Sequence, residues 1–287
     1  CLPYDKLVGA AAQVLSLDEG RTSDFISLFI EREALSVYSA NSERYVMKTS
    51  VCEDEKYIAK RVLEMQSYIN HISISDIYAL IENVEAKFGV KYAELQKEAL
   101  IEAISGSLLI LTGGPGTGKT TTLVEAIYVT LHRENQVLVC AQSNMAVDWI
   151  SEKLVDRGVP VLRIGNPTRV NDKMLSFTYE RRFESHPDYP QLWSIRKAIR
   201  DLHSQNRKGA NRESIRQKIN SLKDRATELE IRINEALFSE ARVIACTLVS
   251  SANRVLMGMK FGTLFIDEAA QALEAACWIA IRKADRV

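Results

Sequence analysis

Leu108-Leu-Ile-Leu-Thr-Gly-Gly-Pro-Gly-Thr-Gly-Lys-Thr120 runs from a short apolar stretch into a glycine-rich loop and then into a helix-forming segment. From Gly113 onward it fits G-x-x-x-x-G-K-[ST], and the apolar run before it with a helix behind it is the strand–loop–helix context that motif requires. A strand is expected over Leu108–Thr112 and a helix from near Gly118. Successive backbone N–H groups of Gly113, Gly114, Pro115's neighbours, Gly116, Thr117 and Gly118 can converge on phosphate oxygens. The dipole at the helix start adds to their pull. Lys119 is then placed for the β- and γ-phosphates and the Thr120 hydroxyl for magnesium, so the expected ligand is ATP with Mg2+.

Downstream, short apolar runs alternate with helical patterns. Strands are expected at Val137–Ala141, Val161–Ile164, Val243–Cys246 and Thr263–Ile266, and helices from near Ser143, Val249 and Gln271. Such alternation means an α/β fold, a parallel sheet covered by helices on both faces. A P-loop site needs an acidic residue at the end of a neighbouring strand, and Leu264-Phe-Ile-Asp267-Glu268 supplies one. Asp267 is the expected magnesium holder, and Glu268 the expected general base that polarises the attacking water.

One stretch, from about 189 to 240, breaks the alternation. Trp193, Ile195, Ile199 and Leu202 precede a polar turn at Ser204–Asn211. Ile215, Ile219, Leu222, Ala226, Leu229 and Ile233 follow at spacings of four and three. That period is a coiled-coil seam, so an inserted antiparallel helical hairpin is expected. Between Gln191 and Glu235 there are eleven Lys or Arg against six Asp or Glu, in a chain whose 37 basic and 37 acidic residues otherwise balance. The excess reads either as a nucleic-acid-facing patch or as a solvated face.

Upstream, residues 1–90 carry helix periods at Tyr4–Leu17, Asp24–Leu35, Asp54–Ile69 and Ile74–Phe88. A possible strand pair, Leu35–Ser39 and Tyr45–Ser50, lies within them. Helices with a hairpin suggest either a winged-helix-like region or a helical docking region, followed by the ATPase domain from 91 to 287.

The 287 residues, 46% apolar, are enough for one or two cores. Five scattered cysteines without C-x-x-C spacing argue against a disulfide framework or zinc site and for reduced thiols, hence a cytoplasmic protein. No membrane span or leader is expected.

These motifs together resemble the superfamily 1 helicases, and within superfamily 1B the Upf-like group that includes the immunoglobulin mu-binding-protein helicases. The resemblance rests on Gly113–Thr122, Gln142-Ser-Asn-Met-Ala-Val-Asp148, Arg163-Ile-Gly-Asn166 and Asp267-Glu-Ala-Ala-Gln271 with Ala272-Leu-Glu-Ala behind it. It covers the chain from about residue 92. Helices inserted into the first RecA-like domain, where the heptad segment falls, are also a feature of that group.

The resemblance implies a RecA-like fold, adenine recognition by Gln96 and further nucleotide contacts from Thr121 and Gln271. It also implies single-stranded DNA or RNA contacts from Ser143, Asn144 and Thr247, a monomeric protein, and 5′ to 3′ movement. Ser143 also suits the N-cap of the following helix, and the two roles are compatible. Met145 departs from the family, which has a small polar residue there. The first 120 residues, with Glu53-Asp-Glu-Lys-Tyr-Ile-Ala-Lys60 and Gly113-Gly114, resemble the RecD-type DNA helicases.

The resemblance further implies that a γ-phosphate-sensing strand and a second RecA-like domain, with its transition-state arginines, lie outside these residues. The chain alone is then expected to bind nucleotide and hydrolyse it poorly. Two other functions fit the same motifs: a P-loop ATPase that remodels complexes without unwinding, and a non-catalytic nucleic-acid-binding fragment.

Overall fold

The computed structural model of the chain describes residues 1–67, 73–114, 116–206 and 212–287. It divides into two compact units, Cys1–Tyr68 and Ile69–Val287.

The first unit runs β1 (Leu2–Pro3), α1 (Tyr4–Leu15), α2 (Glu19–Glu31), β2 (Leu35–Ala40), β3 (Glu43–Lys48), α3 (Thr49–Ser67). Its sheet is antiparallel in the order β1-β3-β2. The hairpin is set by a two-residue turn, with Asn41 and Ser42 both left-handed (φ 50° and 67°) and Ala40 facing Glu43. Two left-handed residues give the twist that matches a hairpin.

The expected helix at 24–35 starts earlier, because the Asp18 side chain caps it by accepting the Arg21 N–H at 2.9 Å. It ends earlier because Leu35 enters the sheet. The second hairpin strand stops at Lys48, where Thr49 opens α3. The expected end of that helix at Ile69 lies outside the described residues. Strand β1, two residues long, is too short to leave a pattern. Val8, Ala12, Ile26, Val46, Cys52 and Met65 are the buried apolar side chains of this unit.

The second unit begins with α4 (Ile74–Phe88) and α5 (Glu94–Ser105). Ile77, Ile81 and Val84 of α4 are buried in the core of the second unit. The helix that the sequence grouped with the N-terminal region therefore belongs to the ATPase-like unit, and the boundary falls at 68/69 rather than near 90. Its apolar stripe looks alike whichever core it fills.

There follow α6 (Lys119–Thr130), β4 (Val137–Ala141), α7 (Asn144–Val155), β5 (Val161–Ile164), α8 (Tyr179–Ser185), α9 (Tyr189–Asn206), α10 (Arg212–Glu240), β6 (Val243–Thr247), β7 (Phe261–Asp267), α11 (Glu274–Ile281) and β8 (Ala284–Arg286). The strands form a five-stranded, all-parallel sheet in the order β5-β6-β4-β7-β8. Alternate residues of β4 divide between the faces. Val137, Val139 and Ala141 join Leu100, Ile127, Val147 and Ile150 on one side, while Leu138 and Cys140 join Leu192, Leu229 and Ile233 on the other. Burial on both faces is why these strands read as unbroken apolar runs.

Leu108–Thr112, expected as a strand, is not a regular one. Val287 N donates to Ser107 O and Leu109 N to Val287 O, both at 3.0 Å, which is one parallel bridge beside β8. Beyond it Ile110 is 78% exposed, so the segment stays extended without a ladder. The helices expected near Val249 and Gln271 are single 3-10 turns, Val249–Ala252 and Ala269–Gln271, with α11 starting only at Glu274.

The insertion is a hairpin of α9 and α10. Ile219, Ala226, Leu229 and Ile233 are buried along the expected seam. Ion pairs tie α10 to its partner arm, Arg232 to Asp188 just ahead of α9 and Glu230 to Arg196 within it. The facing residues of α9 are Leu192 and Ile195. Trp193, expected in the seam, is half exposed, with the Lys197 ammonium over its ring. Residues 207–211 of the expected turn lie outside the described residues.

Candidate functional site

In a sheet whose strands all run one way, every C-terminal strand end opens on a single edge, where ligands of such folds sit. The register puts Ala141 opposite both Thr247 and Asp267, so the ends of β6, β4 and β7 lie side by side. Neighbouring strands are spaced by about 4.8 Å. Residues 107–109 run parallel to β8, so the glycine loop leaves toward the same edge.

Gly116 and Gly118 take left-handed φ values of 73° and 79°, which a side chain would resist. Gly118 caps α6, and a Cβ there would lie 3.4 Å from Gln96 Nε2. Gln96 of α5 thus stands against the loop, with its Oε1 accepting the Ala93 N–H at 3.0 Å. A Cβ on Gly113 would come within 2.8 Å of Thr117 Oγ1, so a side chain there would have to displace that hydroxyl. Thr117 Oγ1 donates to Gly114 O at 2.9 Å. The Lys119 ammonium donates to Gly113 O (2.6 Å) and Gly114 O (2.7 Å), closing the loop around it. Thr120 is half-buried and Thr121 exposed at the first turn of α6. Pro115 lies outside the described residues.

Helix α5 is anchored where it carries Gln96. Buried Glu125 of α6 takes the Arg157 guanidinium and the Tyr92 hydroxyl together. Burial first, and then the Glu125 charge, push the Tyr92 hydroxyl well above the usual phenol range.

At the end of β7, Asp267 Oδ1 accepts the Glu268 N–H at 3.0 Å, and Glu268 is left-handed at φ 56°. A non-glycine residue in that conformation costs about 1–2 kcal/mol, and such strain clusters at functional sites. Glu268 O then accepts from Gln271 N at 2.9 Å, which orders the turn that carries exposed Gln271. Among the described residues, no cluster of three His, Cys, Asp or Glu side chains forms a metal site.

Ser143 caps α7, its Oγ accepting from Ala146 N at 3.1 Å, and the same hydroxyl donates to Glu268 Oε2 at 3.0 Å. Sequence reasoning did not anticipate this link, because nothing local joins two residues 125 positions apart. Asn144 behaves differently. Its Oδ1 accepts from Arg163, which is fully buried, pairs with Asp148 at 2.8 Å and donates to Ile164 O at 2.6 Å. The Asn144 Oδ1 is therefore held by the fold, and its amide NH2 is the group that can donate to a phosphate oxygen. Thr247 Oγ1 donates to Ser250 Oγ at 2.8 Å and shapes the turn after β6.

Residues 91–287 match the model of a protein family described as an AAA domain. The chain is 32% identical over 208 residues to the DNA polymerase alpha-associated DNA helicase A of Schizosaccharomyces pombe, covering 71% of this chain and 30% of that protein. It is 32% identical over 199 residues to the rat DNA-binding protein SMUBP-2, covering 67% and 20%. It is 31% identical over 196 residues to the ATP-dependent helicase upf1 of Schizosaccharomyces pombe, covering 64% and 20%. The chain spans well under half the length of these relatives. Among its described residues no helix is long and apolar enough to cross a membrane. With a family model matched over most of its length and the P-loop, acidic strand end and inserted hairpin on one parallel sheet, the chain belongs to the Upf-like superfamily 1 helicases.

Proposed function

We propose that this chain is the nucleotide-binding motor unit of an ATP-dependent helicase that moves along single-stranded DNA or RNA. The observation that carries the reading is the shared sheet edge. There Ser143 and Glu268 are hydrogen-bonded at the ends of neighbouring strands, and the glycine loop leaves toward the same edge. A protein that couples a nucleotide to a strand needs both sites within reach of one another, and that edge offers it.

In this reading the loop's N–H groups and the start of α6 hold the phosphates, and Lys119 exchanges the carbonyls of Gly113 and Gly114 for β- and γ-phosphate oxygens, which bear more charge. Gln96, against Gly118, is the adenine-side contact, with Thr121 and Gln271 as flanking nucleotide contacts. A hydroxyl and a carboxylate are hard oxygen donors that suit Mg2+, so Thr120 and Asp267 are its proposed holders. When bound, the ion neutralises charge on the transferring phosphoryl group. Glu268 accepts the proton of the attacking water. Ser143, the Asn144 amide and Thr247 contact the strand backbone with short polar groups, which suits sequence-independent binding. Movement 5′ to 3′ and action as a monomer belong to the same reading and rest on family resemblance, and a cytoplasmic location rests on the scattered cysteines.

The test is titration of the chain with a fluorescent ATP analogue and magnesium, with and without oligothymidylate. Saturable binding that is lost in Lys119→Ala and tightened by the strand is the expected result. Binding that ignores Lys119 would overturn the site assignment. Binding indifferent to every single strand, DNA or RNA, would favour a remodelling ATPase instead.

A further inference from the structure

Ser143 Oγ is used twice. As an acceptor it caps α7 through Ala146 N, and as a donor it gives its only proton to Glu268 Oε2 at 3.0 Å. The cap occupies one lone pair, and the proton is the hydroxyl's single donor. One hydroxyl proton serves one acceptor at a time. A backbone phosphate arriving at the α7 N-terminus is an anionic acceptor competing with the Glu268 carboxylate for it. While Glu268 holds that hydrogen bond, its Oε2 has one fewer lone pair, and its side chain is tethered to α7.

We propose that Ser143 is a positioning residue that restrains Glu268 until a single-stranded nucleic acid takes over its hydroxyl, so that strand binding and release of the general base are one exchange of a hydrogen bond. This deepens the function proposed above and rests on its assignment of Glu268 as base and Ser143 as strand contact. Two consequences follow from linkage, which requires the coupling to act in both directions. Removing the hydroxyl frees Glu268 without a strand. Removing the Glu268 carboxylate frees the hydroxyl for a strand without nucleotide.

The experiment is a double-mutant cycle on the full-length protein. Binding of fluorescein-labelled oligothymidylate is measured without nucleotide or magnesium in the parent, Glu268→Ala, Ser143→Gly and the double variant. Glycine keeps most of the capping stability of serine, so α7 is preserved.

Glu268→Ala is expected to tighten the strand about five-fold more in the Ser143 background than in the Ser143→Gly background. The loss of one negative charge alone would act equally in both and cancel. In parallel, Ser143→Gly is expected to raise strand-free ATP hydrolysis about five-fold in kcat with KM unchanged, and Ser143→Thr, which keeps the hydroxyl, to restore the low rate. An additive cycle, or a strand-free rate that does not rise in Ser143→Gly, would overturn the exchange while leaving the helicase reading standing. Hydrolysis that persists in Glu268→Gln would overturn the base assignment beneath it, and a parent protein that binds no strand would overturn both.

Discussion

Of the two proposed site residues Lys119 and Glu268, only Glu268 is held at a cost in local stability. Among the described residues the Lys119 ammonium hydrogen-bonds to the loop carbonyls of Gly113 and Gly114, outside the core. Lys119→Ala should therefore weaken magnesium-nucleotide binding by at least about ten-fold, the scale of a lost charge-assisted hydrogen bond. It should leave the urea midpoint unchanged. Glu268 holds φ at 56°, where glycine is at ease. Glu268→Gly should raise stability by about 1 kcal/mol in urea denaturation, and the same variant should abolish hydrolysis; a destabilised variant would mean the turn is not strained. Arg163 is the opposite case. It is fully buried and joins β5 to Asp148 and Asn144 of α7. Arg163→Met strands the Asp148 charge and should cost about 3–5 kcal/mol in the same assay. The left-handed turns at Gly116 and Gly118 were legible because the motif puts glycines at fixed spacing. The inward use of Asn144 and the Ser143–Glu268 bond were not, because each depends on which side chains the sheet register brings together.

Secondary structure was legible where its period repeats and illegible where it is short. Six seam positions of α10 were enough to predict a helical hairpin. The seam of α9, read from fewer residues, held at Ile195 and Ile199 and missed at its first position, where Leu192 is buried and Trp193 half exposed. The seam of α10 ends on Ile233, fully buried against the sheet's second face. Ile233→Ala should cost about 2–5 kcal/mol in urea denaturation, whereas Trp193→Ala should cost under about 1 kcal/mol. Equal losses would mean the arms pack differently. Deleting Ser194–Ser239 and closing the gap removes most of the hairpin and should spare nucleotide binding while weakening oligothymidylate binding. Equal loss of both would make the hairpin a structural element. In the first unit, Ser42 is left-handed in the hairpin turn, and Ser42→Gly should stabilise it by about 0.5–1 kcal/mol.

At the scale of the whole chain, apolar patterning revealed the order of α and β elements and hence the parallel sheet, since strands buried on both faces leave unbroken runs. It could not assign α4 to a unit, because an amphipathic stripe carries no address, and only packing of Ile77, Ile81 and Val84 in the sheet unit's core decides it. The neutral net charge was silent on partners, and the local basic excess of the hairpin fits a strand-facing patch and a solvated face alike. Family membership follows from the matched domain, whereas coupling of ATP to strand movement is a proposal about the whole protein. The central claim is tested most directly by the rate of ATP hydrolysis by the full-length protein with and without single-stranded DNA or RNA, alongside its Lys119→Ala variant. Strand-stimulated hydrolysis that vanishes in Lys119→Ala is the predicted result; hydrolysis that no strand accelerates, or that survives loss of Lys119, would contradict the account.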